Sequence, residues 1–127
     1  MSSPRTDAFA ALLGIEVVGH GGGRAEARVV VTEDHLNPHG TTHGSFLYSL
    51  AGVALAAAAN DAEHSGVVSA VHIDYLRPSG VGDTLVATAD VAERLPREDL
   101  FDIRVVRSAD GEIVARATGR ANRRARR

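Results

Sequence analysis

The stretch from His43 to Asn60, HGSFLYSLAGVALAAAAN, contains no Asp, Glu, Lys or Arg and is built largely from the strong helix formers alanine and leucine. Small or apolar side chains fall on every face of a helix drawn through it, which predicts burial all round. Small side chains also let neighbours approach closely, and a curved sheet wrapped around a single helix meets that demand. A membrane span is the competing solution for so apolar a run. Alanine is only weakly apolar, however; Ser45, Ser49 and Gly52 dilute the segment, and no basic cluster marks a flank, so no membrane partner is expected. The residues in front, Asn37 to Gly44, are polar and turn-forming. They bring polar groups to the helix N-terminus, where free N–H groups and the helix dipole favour negative charge. That junction is the candidate site.

At 127 residues the chain suits one domain, read as residues 1–122, followed by a basic tail at 123–127. Cysteine is absent, which removes disulfides and thiolate metal sites and is compatible with a cytoplasmic location. The N-terminal residues lack the long apolar run of a signal peptide. A formal charge of -2 gives no reason to expect nucleic acid. All 14 basic residues are arginine, which excludes lysine-based chemistry. The arginines from Arg123 to Arg127 read as a solvated, frayed end, with attraction of a phosphate-bearing ligand or nucleic acid as the alternative.

Pro4 followed by Phe9, Leu12 and Leu13 on one face, with Gly14 as a stop, predicts a short first helix. A strand over Ile15–Val18 and a flexible turn at His20–Gly23 come next. Arg24 to Thr32 alternates, with Ala25, Ala27, Val29 and Val31 on one face. The central helix is expected to end at Ser65-Gly66, and Val67–Leu76 to form a strand. Three further alternating runs, Leu85–Leu95, Leu100–Arg107 and Ile113–Ala121, are separated by Pro96–Asp99 and by the hairpin signal Asp110-Gly111. Strands in hairpin succession with segregated helices predict an antiparallel sheet and the α+β class.

Asn37, His39, His43 and Gly44 crowd into eight residues ahead of the buried helix. His35, His39 and His43 have the fourfold spacing of metal ligands on a helix. Pro38 and Gly40 argue against a helix there and no carboxylate completes a metal signature, so no metal is expected. Ser45 is expected to cap the helix.

These residues resemble a family, the hot-dog fold acyl-CoA thioesterases, and within it the phenylacetate-degradation type. The resemblance is carried by His35-Leu36-Asn37, His39-Gly40, His43-Gly44 running into Phe46–Ala51, Asp74–Pro78 and Gly82–Leu85, and it covers the chain from about Phe9 to Ala121. It implies a hot-dog fold, an antiparallel sheet wrapped around one long helix, paired as a homodimer or homotetramer with the site at the subunit interface. It also implies roles. The Gly44 N–H polarises the thioester carbonyl, Asn37 orients the thioester or the water, His43 supports the loop, and Ser69 matches a position that contacts the nucleophile or its water. Coenzyme A enters only as part of the substrate, and no separate cofactor is implied.

One position departs from the family. Its pattern continues Leu-Ala-Asp, with the aspartate as nucleophile or general base, whereas this chain reads Leu50-Ala51-Gly52. Asp61 and Glu63 lie too far along the helix to substitute. The expected function is therefore hydrolysis of a small or aromatic acyl-CoA by a thioesterase impaired at Gly52. The alternative is a non-catalytic acyl-CoA-binding protein.

Overall fold

The computed structural model describes residues 7–126. Pro4, read above as part of the first helix, lies outside them. Helix α1 (Ala8–Leu13) is capped by the Asp7 carboxylate, which accepts from the Ala10 N–H at 2.9 Å. Strands β1 (Glu16–Gly21) and β2 (Arg24–Val30) form a hairpin, and helix α2 (Gly44–Ala58) follows. A short strand β3 (His64–Ser65) precedes β4 (Val68–Tyr75), β5 (Thr84–Arg94), β6 (Glu98–Arg107), β7 (Ile113–Asn122) and β8 (Arg124–Ala125). Six strands form one antiparallel sheet in the order β1-β2-β5-β6-β7-β4, and β3 pairs with β8. The sheet curls around α2, the hot-dog arrangement expected from the sequence.

The first strand begins one residue later than expected and runs to Gly21, because the reversal needs only Gly22 and Gly23. Both have positive φ, 62° and 81°, which suits a two-residue hairpin. A Cβ on Gly23 would also sit 2.7 Å from Val91 Cγ1.

Small inward residues let the helix lie close to the sheet. Ala25, Ala27, Leu85, Ala87, Ala89, Ile103, Val105 and Ala117 face Leu50, Ala51, Ala54 and Leu55 in one buried cluster. The contact is tightest where Leu55 crosses β7, since a Cβ on Gly119 would come within 2.5 Å of Leu55 Cδ2. A β-bulge between Val105 and Val106 shifts the β7 register, so Val114 and Ala115 are both buried.

Three expectations need correction. First, α2 is not buried all round: Ser45 and Tyr48 are exposed, and Ser49, Gly52 and Ala56 are half-buried, one open stripe along the helix. Second, α2 stops at Ala58 rather than at Ser65-Gly66. Asn60 ends it, donating from Nδ2 to the carbonyls of Ala56 and Gly66 at 2.8 and 2.9 Å while Oδ1 accepts from the Gly66 N–H.

Third, Arg123 and Arg126 do not belong to a frayed tail, while Arg124 is exposed in β8 and Arg127 lies outside the described residues. Arg123 reaches the buried carboxylate of Asp99, which also takes Arg94 at 2.9 Å, and donates to the Leu95 carbonyl at 2.7 Å. Arg126 donates to the carbonyls of Asp61 and His64 at 2.6 and 3.1 Å. Asp99, 24 residues before Arg123, supplies the counter-charge that a local reading of the tail does not register.

This clasp has a measurable consequence. Arg123→Ala removes a charge-assisted hydrogen bond from a buried carboxylate and should cost about 1.5–3 kcal/mol. Urea unfolding should show a lower midpoint with an unchanged slope; an unmoved midpoint would restore the solvated-tail reading.

Candidate active site

The site begins with a loop that satisfies its own polar groups. Asn37 Oδ1 accepts from the N–H groups of His39 and Thr41 at 2.9 and 3.1 Å, and its Nδ2 donates to Thr41 Oγ1 at 2.8 Å. The two backbone donors fix which way the Asn37 amide points and leave one N–H of Nδ2 for another acceptor. Thr42 and Ser79 are buried and joined twice, by Ser79 Oγ to Thr42 Oγ1 at 2.7 Å and by the Thr42 N–H to the Ser79 carbonyl at 2.9 Å. The His43 N–H donates to the His35 carbonyl at 2.8 Å. These contacts fasten the loop on both sides before the helix starts.

His35 is a structural histidine. Its ring is buried and stacked on Phe46 at 3.8 Å. Nδ1 accepts from the Thr32 N–H at 2.9 Å, which puts the proton on Nε2, and Nε2 donates to the Leu13 carbonyl at 2.8 Å. It ties the end of α1 to the start of α2.

His43 is the N-cap of α2. Its Nδ1 accepts from the Ser45 N–H at 2.9 Å and its carbonyl accepts from Phe46 and Leu47 at 3.0 and 3.1 Å. Ser45, expected to be the cap, is instead the residue whose N–H is capped. Ser49, in the second turn of α2, spends its hydroxyl on the Ser45 carbonyl at 2.9 Å. Of the first four N–H groups of α2, only that of Gly44 finds no acceptor among the described residues. It lies at the positive end of a 15-residue helix.

Gly44 opens onto a cavity of about 390 Å³ that Asn37, Thr41, Leu47, Tyr75 and Leu76 also line. Tyr75, at the end of β4, shares the inward side of the strand with Val71 and Ile73, and its hydroxyl donates to the Gly44 carbonyl at 2.9 Å. A Cβ on Gly44 would lie 3.1 Å from the Tyr75 ring. Tyr75 lies within the Asp74–Pro78 motif, which by itself carries no role for it; the alternation of the strand is the signal that it turns toward the helix.

Asn37, His43 and Gly44 are thus brought together, and Gly52 and Ser69 are not among them. Gly52 lies eight residues along α2 from Gly44, roughly 12 Å at 1.5 Å per residue. It sits on the open stripe, and a Cβ there meets nothing within 4 Å. Ser69 sits at a β-bulge near the start of β4, with Oγ donating to the Arg120 carbonyl at 3.2 Å. Helix and strand run in opposite senses: Gly44 meets the end of β4 at Tyr75, while Ala59 packs against Gly66 just before its start. Gly52 and Ser69 of one chain therefore both lie away from the Asn37–Gly44 loop, Gly52 along the helix and Ser69 six residues before Tyr75 on β4.

Comparison with known proteins agrees with this architecture. Residues 39–113 match the family model of the thioesterase superfamily. The chain is 39% identical over 117 residues to the acyl-coenzyme A thioesterase PaaI of Escherichia coli, covering 92% of this chain and 83% of that protein. It is 34% identical over 123 residues to a putative esterase of Deinococcus radiodurans, covering 95% and 82%. The solved structure of the E. coli PaaI protein, from the phenylacetic acid degradation operon, superposes with a TM-score of 0.87 over 93% of this chain and 85% of that one.

The cap can be tested by itself. His43→Ala leaves the Ser45 N–H without its acceptor and should destabilise the fold by about 1 kcal/mol. His43→Asn, which supplies a good capping oxygen, should recover most of that loss in the same urea titration. Equal losses in both variants would show that His43 contributes through something other than the cap.

Proposed function

The chain is a member of the thioesterase superfamily, and on that premise we propose that it hydrolyses a small or aromatic acyl-coenzyme A in a site shared by two copies. The observation that carries the reading is the unpaired Gly44 N–H at the start of α2, opening on the Asn37-lined cavity. Water attacks the thioester carbonyl carbon, the carbonyl oxygen becomes an oxyanion, and the C–S bond then breaks to release the acid and the coenzyme A thiol. The developing negative charge is what a fixed N–H at a helix N-terminus stabilises. Asn37 keeps one N–H with which to orient the thioester or the water. His43 holds the helix start in shape.

The separation of Gly52 and Ser69 from the Asn37–Gly44 loop favours pairing. β4 is an edge strand, so its outer N–H and C=O groups lack a partner strand among the described residues. Antiparallel pairing of two β4 edges about a twofold axis sets the Tyr75 end of one strand against the Ser69 end of the other. Gly44 and Asn37 of one copy then approach Gly52 and Ser69 of a second, and the open stripe of α2 is covered. A homodimer, or a tetramer made of two such pairs, is the form we assign. No described helix is long and apolar enough to cross a membrane. A cytoplasmic location goes with an acyl-CoA substrate, and no nucleic acid is invoked, because Arg123 and Arg126 are already bound within the chain. No metal or separate cofactor enters the reaction.

A second reading, an acyl-CoA-binding protein without turnover, draws on one observation: Gly52 offers no side chain where the family carries its aspartate. Turnover and binding separate the two. Aspartate fits at this position, because a Cβ on Gly52 meets open space.

A positioned general base contributes about 10²–10⁴-fold to rate. Gly52→Asp should therefore raise kcat at least about tenfold toward short or aromatic acyl-CoAs, with KM nearly unchanged, since the added group acts mainly in the transition state. Unchanged turnover in a folded, acyl-CoA-binding Gly52→Asp protein would rule out position 52 as the limit. Light scattering at micromolar concentration should give a dimer or larger; a monomer retaining full activity would sink the shared site.

A further inference from the structure

We infer that Tyr75 is a positioning residue for this reaction, acting through the Gly44 peptide rather than on the substrate; the inference rests on the thioesterase reading above. Gly44 carries the proposed oxyanion donor, yet glycine is the residue least able to hold its own backbone still. The chain restrains it from two sides. The peptide that follows Gly44 has its N–H, that of Ser45, bonded to His43 Nδ1 at 2.9 Å. Its carbonyl oxygen accepts from the Tyr75 hydroxyl at 2.9 Å. The Tyr75 ring closes over the Cα of Gly44, so near that a Cβ would be 3.1 Å from Cζ and 3.3 Å from the hydroxyl oxygen.

The identity of both residues follows from that contact. A Cβ at 44 would push the ring back by a few tenths of an ångström, so glycine gives the ring its closest approach, and a hydroxyl at 75 reaches the carbonyl. Tyr75 is half exposed and lies outside the buried cluster, so the fold does not need it as core. Its hydrogen bond joins the end of β4 to the first turn of α2. Oxyanion stabilisation depends on donors fixed in place before the charge develops. Tyr75 supplies that fixity: it holds the carbonyl at the helix start, and with it the Gly44 peptide at the wall of the cavity.

The test compares Tyr75→Phe, which keeps the ring and loses only the donor, with the parent chain, each alone and in the Gly52→Asp background. Three readouts are taken: thioester turnover, affinity for the thioether analogue of the substrate, and affinity for a trifluoromethyl ketone analogue whose hydrate mimics the tetrahedral intermediate. Losing an oxyanion donor outright costs about 10²–10³-fold in kcat, and a donor that is present but loosely held should cost less, about tenfold. We expect kcat and ketone affinity to fall together by about that factor, with KM, thioether affinity and melting temperature nearly unchanged. A purely lining role would weaken thioether and ketone equally and leave kcat alone, and that result overturns the inference. So does a Tyr75→Phe protein that fails to fold, since the hydroxyl would then be structural. Failure of the underlying reading looks different: no turnover by either parent, and no preference for ketone over thioether whatever stands at 75. That result removes the inference together with its premise.

Discussion

Everything in this fold depends on how closely α2 can lie against the sheet. The helix brings leucine and alanine, and the strands answer with alanine, valine and, at Gly119, no side chain at all. Interiors pack at near-crystalline density, so a helix at this distance admits few alternative side-chain volumes. The curl of the sheet follows, because strands on both sides of the helix must reach the same axis. So does the placement of the site, since a helix held this firmly presents its N-terminus at a fixed point above the loop from Asn37 to His43. Leu50 and Leu55 are fully buried, each worth about 1.5–3 kcal/mol relative to exposure.

The parts of this architecture that local chemistry writes were legible in the sequence. The uncharged run announced α2, strict alternation announced β2, β5, β6 and β7, and Asp110-Gly111 announced the last hairpin. Residues that depend on a distant partner were not legible. Asp99 decides the fate of Arg123, and nothing near Arg123 reveals it. Asn60 ends α2 by bonding forward to Gly66, which no helix-breaking residue signals. His43 rather than Ser45 caps the helix because a ring nitrogen, held by its neighbours, reaches the right N–H; serine is simply the commoner choice.

The candidate site divides in the same way. Asn37, His43 and Gly44 fall within eight residues, and their joint placement needed only a turn followed by a helix. The roughly 12 Å between Gly44 and Gly52 is also a sequence property once the helix is accepted. What the sequence hid was the sense of β4 against α2, which puts Tyr75 beside Gly44 and leaves Ser69 at the far end of the strand. The open stripe along α2 was hidden too. A helix whose every face is apolar carries no mark of which face its own sheet leaves uncovered.

The strand order has a consequence for the order of assembly during synthesis. β4 lies in the middle of the sequence, yet its only partner in the sheet is β7, nine-tenths of the way along the chain. A ribosome that has made β4 cannot yet give it a neighbour, and an edge strand without one is exposed to the wrong partners. The strand that carries Tyr75 to Gly44 is held in the sheet by residues 113–122. The loop and helix that look like a local unit therefore lean on a strand made long after them. Contacts of such long sequence separation slow folding, so the neighbourhood of Gly44 depends on the part of the chain made last.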